Sequence, residues 1–96
     1  MGQVVHGEME RAFDAALEQV GRFLRTDLKT VDGDSARPQL VILENELKRE
    51  RAGALERGTI DREWFRKTVR WLVEWLPETE PSLIGALGRI IRSTAK

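Results

Sequence analysis

The segment 60–77 constrains the fold more than any other part of the chain. It holds all three tryptophans, Trp64, Trp71 and Trp75, of a protein that has no tyrosine and no cysteine. At about 100° per residue, Phe65, Val69, Leu72 and Leu76 fall within about 60° of one another, the spacing of a core stripe. The tryptophans form a second stripe centred roughly 110° away, with Thr68 between the two. The rest of the circumference is charged: Glu63, Arg66, Lys67, Arg70 and Glu74. Together the apolar stripes span roughly 200°, about twice what a helix on one core needs, so this helix must be covered on two sides. Asp61 stands where a carboxylate can accept from the first-turn N–H groups, with Ile60 and Phe65 placed to staple over it. Pro77, which has no N–H and restricts the residue before it, ends the helix.

Three further helices follow from the same periodicity. In residues 4–25, Met9, Phe13, Ala16, Leu17, Val20 and Leu24 repeat on one face, with Glu10, Arg11, Asp14, Glu18, Arg22 and Arg25 outside. Residues 26–37 carry the turn chemistry Asp32-Gly33-Asp34-Ser35, which predicts a loop leading to a cap at Asp34 or Ser35. A second helix is predicted over 38–57, opened by Pro38 in its first turn and closed by Gly58. Its core stripe is Leu40, Leu43, Leu47 and Ala54. Its first turn, Leu40-Val41-Ile42-Leu43, is apolar all round, and Lys48-Arg49-Glu50-Arg51 is charged all round. The Trp-bearing helix spans 61–76. The last, 82–94, places Leu83, Ile84, Leu87, Ile90 and Ile91 on one side, and a linker as short as Glu78-Thr79-Glu80-Pro81 sets it antiparallel to the third.

With 41% hydrophobic and 33% charged residues, 96 residues make one helical domain over 1–96 with a single core of limited margin. Short connections predict an all-α, up-and-down four-helix bundle. At about 1.5 Å per residue the first two helices outreach the last two by several ångströms, so the charged end of the second is expected either to project as a solvated arm or to complete its packing in a dimer. A six-helix death-fold-like bundle has a similar length. It would require breaks in the first two helices, hinted at only by Gly21 and Gly53.

Absent chemistry narrows the function. No cysteine means no disulfide, thiolate or Cys-type zinc site, and the single histidine, His6, excludes multi-histidine metal sites. His6 and Glu10 share a helical face but lack the companions of a di-iron bundle site. A calcium loop from Asp32 would put Arg37 at its glycine and Leu43 at its glutamate, so it fails. No serine or threonine stands beside a base in the pattern, and a catalytic role is not expected. No cofactor is expected either. No run approaches a membrane span and the amino terminus lacks a signal-peptide pattern, so a cytoplasmic location is expected.

Net charge is zero, yet residues 1–47 carry five basic against nine acidic side chains and residues 48–96 eleven against seven. Such opposition favours packing of the halves, within one chain or between two. The tryptophan stripe reads either as a cap on the core edge or as a partner surface, since tryptophans dominate interface energetics. The partner-binding set is Trp64, Trp71, Trp75 and Lys67. A second candidate surface is basic: Lys48, Arg49, Arg51, Arg57, Arg66 and Arg70 surround the corner where helices two and three meet, with Arg62 among them, and could contact phosphates. Interleaved acids compete for these cations, as Glu63 does for Lys67.

The string Leu83-Ile84-Gly85-Ala86-Leu87-Gly88-Arg89-Ile90-Ile91 resembles the I-G-x-x-G-x-x-I signature of KH RNA-binding domains at Ile84, Gly85, Gly88 and Ile91. That fold needs a polar loop at Ala86 and Leu87 and flanking strands, for which Pro77 before and five residues after leave no room. The segment is read as helix. Its glycines then reflect either tolerance near a chain end or close approach of a partner backbone. The function expected is a helical protein–protein interaction module, an adaptor or scaffold, self-associating as a homo-oligomer through the Trp-lined face. The alternative is a nucleic-acid-binding or regulatory protein using the basic corner.

Overall fold

The computed structural model describes residues 2–79 and 81–93, with side chains described from residue 7 onward. Four helices follow in order: α1 Gly2–Arg25, α2 Arg37–Arg57, α3 Arg62–Trp75 and α4 Ser82–Ser93, with a 3₁₀ turn at Pro77–Thr79 before α4. They form an all-α four-helix bundle measuring 46 × 21 × 19 Å. Among the described residues there is no strand, and no helix is long and apolar enough to cross a membrane. Each helix lies within two residues of its predicted span; residue 94 and the side chain of His6 lie outside the described residues.

α1 is the hub. It packs along α2 on one side and α4 on the other, and α3 packs on α4. Hence the fourth side, between α2 and α3, is thinly closed. The core contains Met9, Phe13, Ala16 and Val20 from α1, Leu40, Leu43, Leu47 and Ala54 from α2, Phe65 and Leu72 from α3, and Leu83, Ala86, Leu87 and Ile90 from α4. The α2 stripe is the predicted one in full. Leu17, Leu24, Val69, Ile84 and Ile91, expected in the core, are only partly buried and pack at its edge.

Both α1 and α2 run unbroken through Gly21 and Gly53, which excludes the six-helix arrangement. The charged end of α2 is not a solvated arm. Arg51 reaches α1 and donates to Glu10 at 2.8 Å and to Asp14 at 3.1 Å, while Ala54 is fully buried. α1 is long enough to supply the surface on which this end lies.

The termini of the helices follow local chemistry. Asp61 caps α3 by accepting from the Trp64 N–H at 3.2 Å, and Ile60 and Phe65 beside it are both buried. Gly58 ends α2 at φ 77°, a left-handed conformation that favours glycine, with its N–H donating to the Ala54 carbonyl. The start of α2 differs from expectation, because the N-cap position is Ala36, which has no side-chain acceptor. Ala36 is wholly buried and its N–H donates to the Leu28 carbonyl, so burial chose the residue at this position. Ser35, one residue earlier, still accepts from the Arg37 N–H at 3.3 Å. In the loop, Lys29 and Ser35 pair across the turn that Gly33 makes at φ 87°. The KH-like string is continuous helix, α4.

Candidate partner-binding groove

Two helical stripes with the same spacing face each other across the open side of the bundle. Gln39, Ile42, Leu43 and Glu46 of α2 and Trp64, Lys67, Thr68 and Trp71 of α3 line one groove of about 550 Å³. The i, i+3, i+4, i+7 interval brings each set onto one face of its helix. Because the helices run antiparallel, Glu46 meets Trp64 near one end and Gln39 approaches Trp71 near the other.

Trp64 is the fixed wall of this groove. Its indole N–H donates to the Glu46 carboxylate at 3.2 Å, a direct side-chain bridge between α2 and α3. Its ring stands edge-on to Phe65, with centroids 4.8 Å apart, and Phe65 meets Phe13 of α1 in the same manner at 5.8 Å. The indole is therefore tied through Phe65 to the centre of the core. Trp71 is half-buried and also packs on the core. Trp75, 39% exposed, lies at the end of the row, where it shares a smaller cavity of about 250 Å³ with Trp71, Gln39, Thr30, Asp32 and Asp34. The Trp75 carbonyl accepts from the Val31 N–H at 3.1 Å, which fastens the 26–36 loop to α3. At the rim, Ile42 is 57% exposed and Lys67 pairs with Glu63 at 3.5 Å in open solvent.

The structure thus gathers Trp64, Trp71 and Lys67 into one groove and sets Trp75 beside it. The rings lean on the core, as a cap on its edge would, and also wall an open cleft. Sequence reasoning missed Gln39, Ile42 and Glu46 as members of the site. Their matching interval on α2, together with a first turn that is apolar all round, is the signal that pointed to them.

The basic residues are dispersed. Arg51 turns inward to Glu10 and Asp14. Lys48 and Arg49 are exposed about 100° apart on α2, and Arg66 and Arg70 are exposed on α3 about 120° to 160° from the tryptophans. Arg57 folds back over Gly53 on the last turn of α2. Beside this corner the Glu50 carboxyl is held above the ordinary glutamate range, first by burial and then by the negative charge of Asp61, which outweigh Arg57 and Arg49. No family model matches this chain, and no curated protein or solved structure matches it.

Proposed function

We propose that this protein is a helical protein–protein interaction module, an adaptor or scaffold without catalytic activity, that self-associates through the α2–α3 groove. One observation carries the reading: Ile42 stands 57% exposed on the rim of a groove walled by two half-buried indoles. An aliphatic side chain so placed gains by insertion between aromatic walls. A two-fold arrangement would set Ile42 of each copy against Trp64 and Trp71 of the other, the self-complementary form of contact that most homodimers use. Trp75, 39% exposed, would flank it. Zero net charge removes long-range repulsion between copies. A contact centred on one aliphatic side chain and two indoles is smaller than the ~800 Å² per partner of a standard interface, so the dimer should be weak, with Kd on the order of micromolar.

Light scattering over a concentration series, read together with tryptophan emission, tests this. The mass should rise from monomer toward dimer as the emission moves to the blue. Ile42→Glu, at an exposed position, should keep its helix content and stay monomeric. A constant monomer up to about 100 µM, well above the expected Kd, would reject the reading.

A further inference from the structure

The seam between α1 and α4, on the side of the bundle away from the tryptophan groove, carries a chemically different surface. Two clefts open along it. One, of about 370 Å³, is lined by Arg11, Arg89 and Arg92 together with Glu8, Ala12 and Ser93. The other, of about 280 Å³, is lined by Arg22, Arg25 and Phe23 with the polar side chains of Gln19, Thr26 and Ser82. Arg11 and Arg22 are eleven residues apart, three turns of helix, so they stand on one stripe of α1 about 16 Å from each other.

None of these five arginines forms an ion pair with a described carboxylate, in contrast to Arg51 across the molecule. The acids nearest in register are Glu8 in the lower cleft and Glu18 on the α1 turn between Arg11 and Arg22. Three of the guanidinium groups lie back over glycine: Arg11 over Gly7, Arg25 over Gly21 and Arg92 over Gly88, at 3.7, 3.7 and 3.3 Å from where a Cβ would stand. A glycine four residues before each arginine leaves bare backbone on which the planar group can rest. That arrangement, which Gly53 and Arg57 share on α2, limits the directions in which the cations can swing.

We propose that the α1–α4 seam binds the backbone of a single-stranded nucleic acid, with phosphates held by Arg11, Arg89 and Arg92 in one cleft and by Arg22 and Arg25 in the other. Arginine donates in a planar fork that matches phosphate oxygens. The clefts are too small for a duplex but wide enough for a phosphate or an unpaired base. Half-buried Phe23 beside two arginines supplies an aromatic surface next to positive charge, the combination that single strands use. The gap between the clefts corresponds to a few nucleotides of extended chain. This is a different surface from the corner formed by Lys48, Arg49, Arg57, Arg66 and Arg70, and it leaves the α2–α3 groove open.

Fluorescence anisotropy of a labelled mixed-sequence DNA of about 15 nucleotides, titrated with the full chain at stepped salt, tests the proposal. Binding should weaken with salt at a log–log slope of about −2 to −3.5, as three to five phosphate contacts require. The R11Q/R89Q/R92Q variant, altered only at exposed positions, should keep its circular dichroism. It should lose affinity roughly tenfold or more at low salt and flatten the slope by about 2. The R49Q/R57Q/R66Q/R70Q variant should bind as the parent does. Failure of the parent to bind at low salt, or equal loss in both variants, would overturn the proposal. Displacement by poly-glutamate as effective as that by unlabelled DNA would overturn it in favour of an acidic protein ligand.

Discussion

Trp71 and Leu72 are neighbours in sequence with unlike parts in the molecule. Leu72 is wholly buried between α3 and the core, so Leu72→Ala should cost about 2 to 5 kcal/mol of stability, read by urea unfolding. Trp71 leans on the core with one edge and walls the groove with the other. Trp71→Ala is expected to weaken association by a larger factor than it weakens folding. Equal stability losses from the two variants would make Trp71 ordinary core. Two glycines give opposite expectations at the same scale. Gly58→Ala forces a side chain into φ 77° and should destabilise by about 1 to 2 kcal/mol. Gly85 has open space where its Cβ would stand, within regular helix, and Gly85→Ala should stabilise by about 0.5 to 1 kcal/mol in thermal unfolding.

The junction between α2 and α3 is where one element constrains another electrostatically. After Gly58 the chain returns beside the last turns of α2, and burial first, then the nearby capping carboxylate Asp61, raise the pKa of Glu50. The folded state therefore holds this proton more tightly than the unfolded chain does. Between the two pKa values it binds more protons, so stability from this group falls as pH rises through that window and the penalty is complete above it. Glu50→Gln should raise the melting temperature at pH 7, and the gain should vanish below about pH 4, where glutamate is protonated in both states. Helix periodicity made most of this architecture legible: the stripe Leu40, Leu43, Leu47 and Ala54 is buried as read, and Asp61 and Gly58 mark helix ends as their chemistry demands. Leu28 and Ala36 escaped, because burial within a connection has no period to betray it, whereas Ile60 was read as a staple and is buried. The groove was half visible. The indole stripe shows on one helical wheel, whereas the separation of α2 from α3 depends on α2 and α4 packing along α1 while α3 packs on α4. The basic residues of 48–70 are spread for a related reason: neighbours in sequence are rotated about 100° from one another, while Arg11, Arg22 and Arg89, scattered along the chain, line one seam.

The whole molecule is a rod, 46 Å long and about half as wide, and its shape decides how copies can combine. The open α2–α3 edge runs along the rod, since both helices follow its length. The charged chemistry is arranged differently. Asp32 and Asp34 sit on the exposed 26–36 loop at one end, and the Arg11, Arg89 and Arg92 cleft lies toward the other. The self-association proposed for this chain could follow either of two competing geometries. Side-by-side pairing through Ile42 and the indoles is isologous and closes at two copies, and apolar burial drives it. End-to-end contact of acidic loop with arginine cleft is heterologous, need not close, and weakens with salt. Small-angle scattering separates them. A groove-mediated dimer should keep its longest dimension near that of the monomer, on the order of 50 Å, whereas end-to-end contact gives about 90 Å for two copies and more for longer chains. Salt gives the second axis: raising NaCl from about 0.1 to 0.5 M shortens the Debye length from roughly 10 Å to about 4 Å and should leave the groove dimer intact. The expected outcome is thickening without lengthening that survives salt and is abolished by Ile42→Glu. Lengthening that disappears at high salt would instead locate self-association at the ends of the rod and leave the tryptophan groove for a different protein.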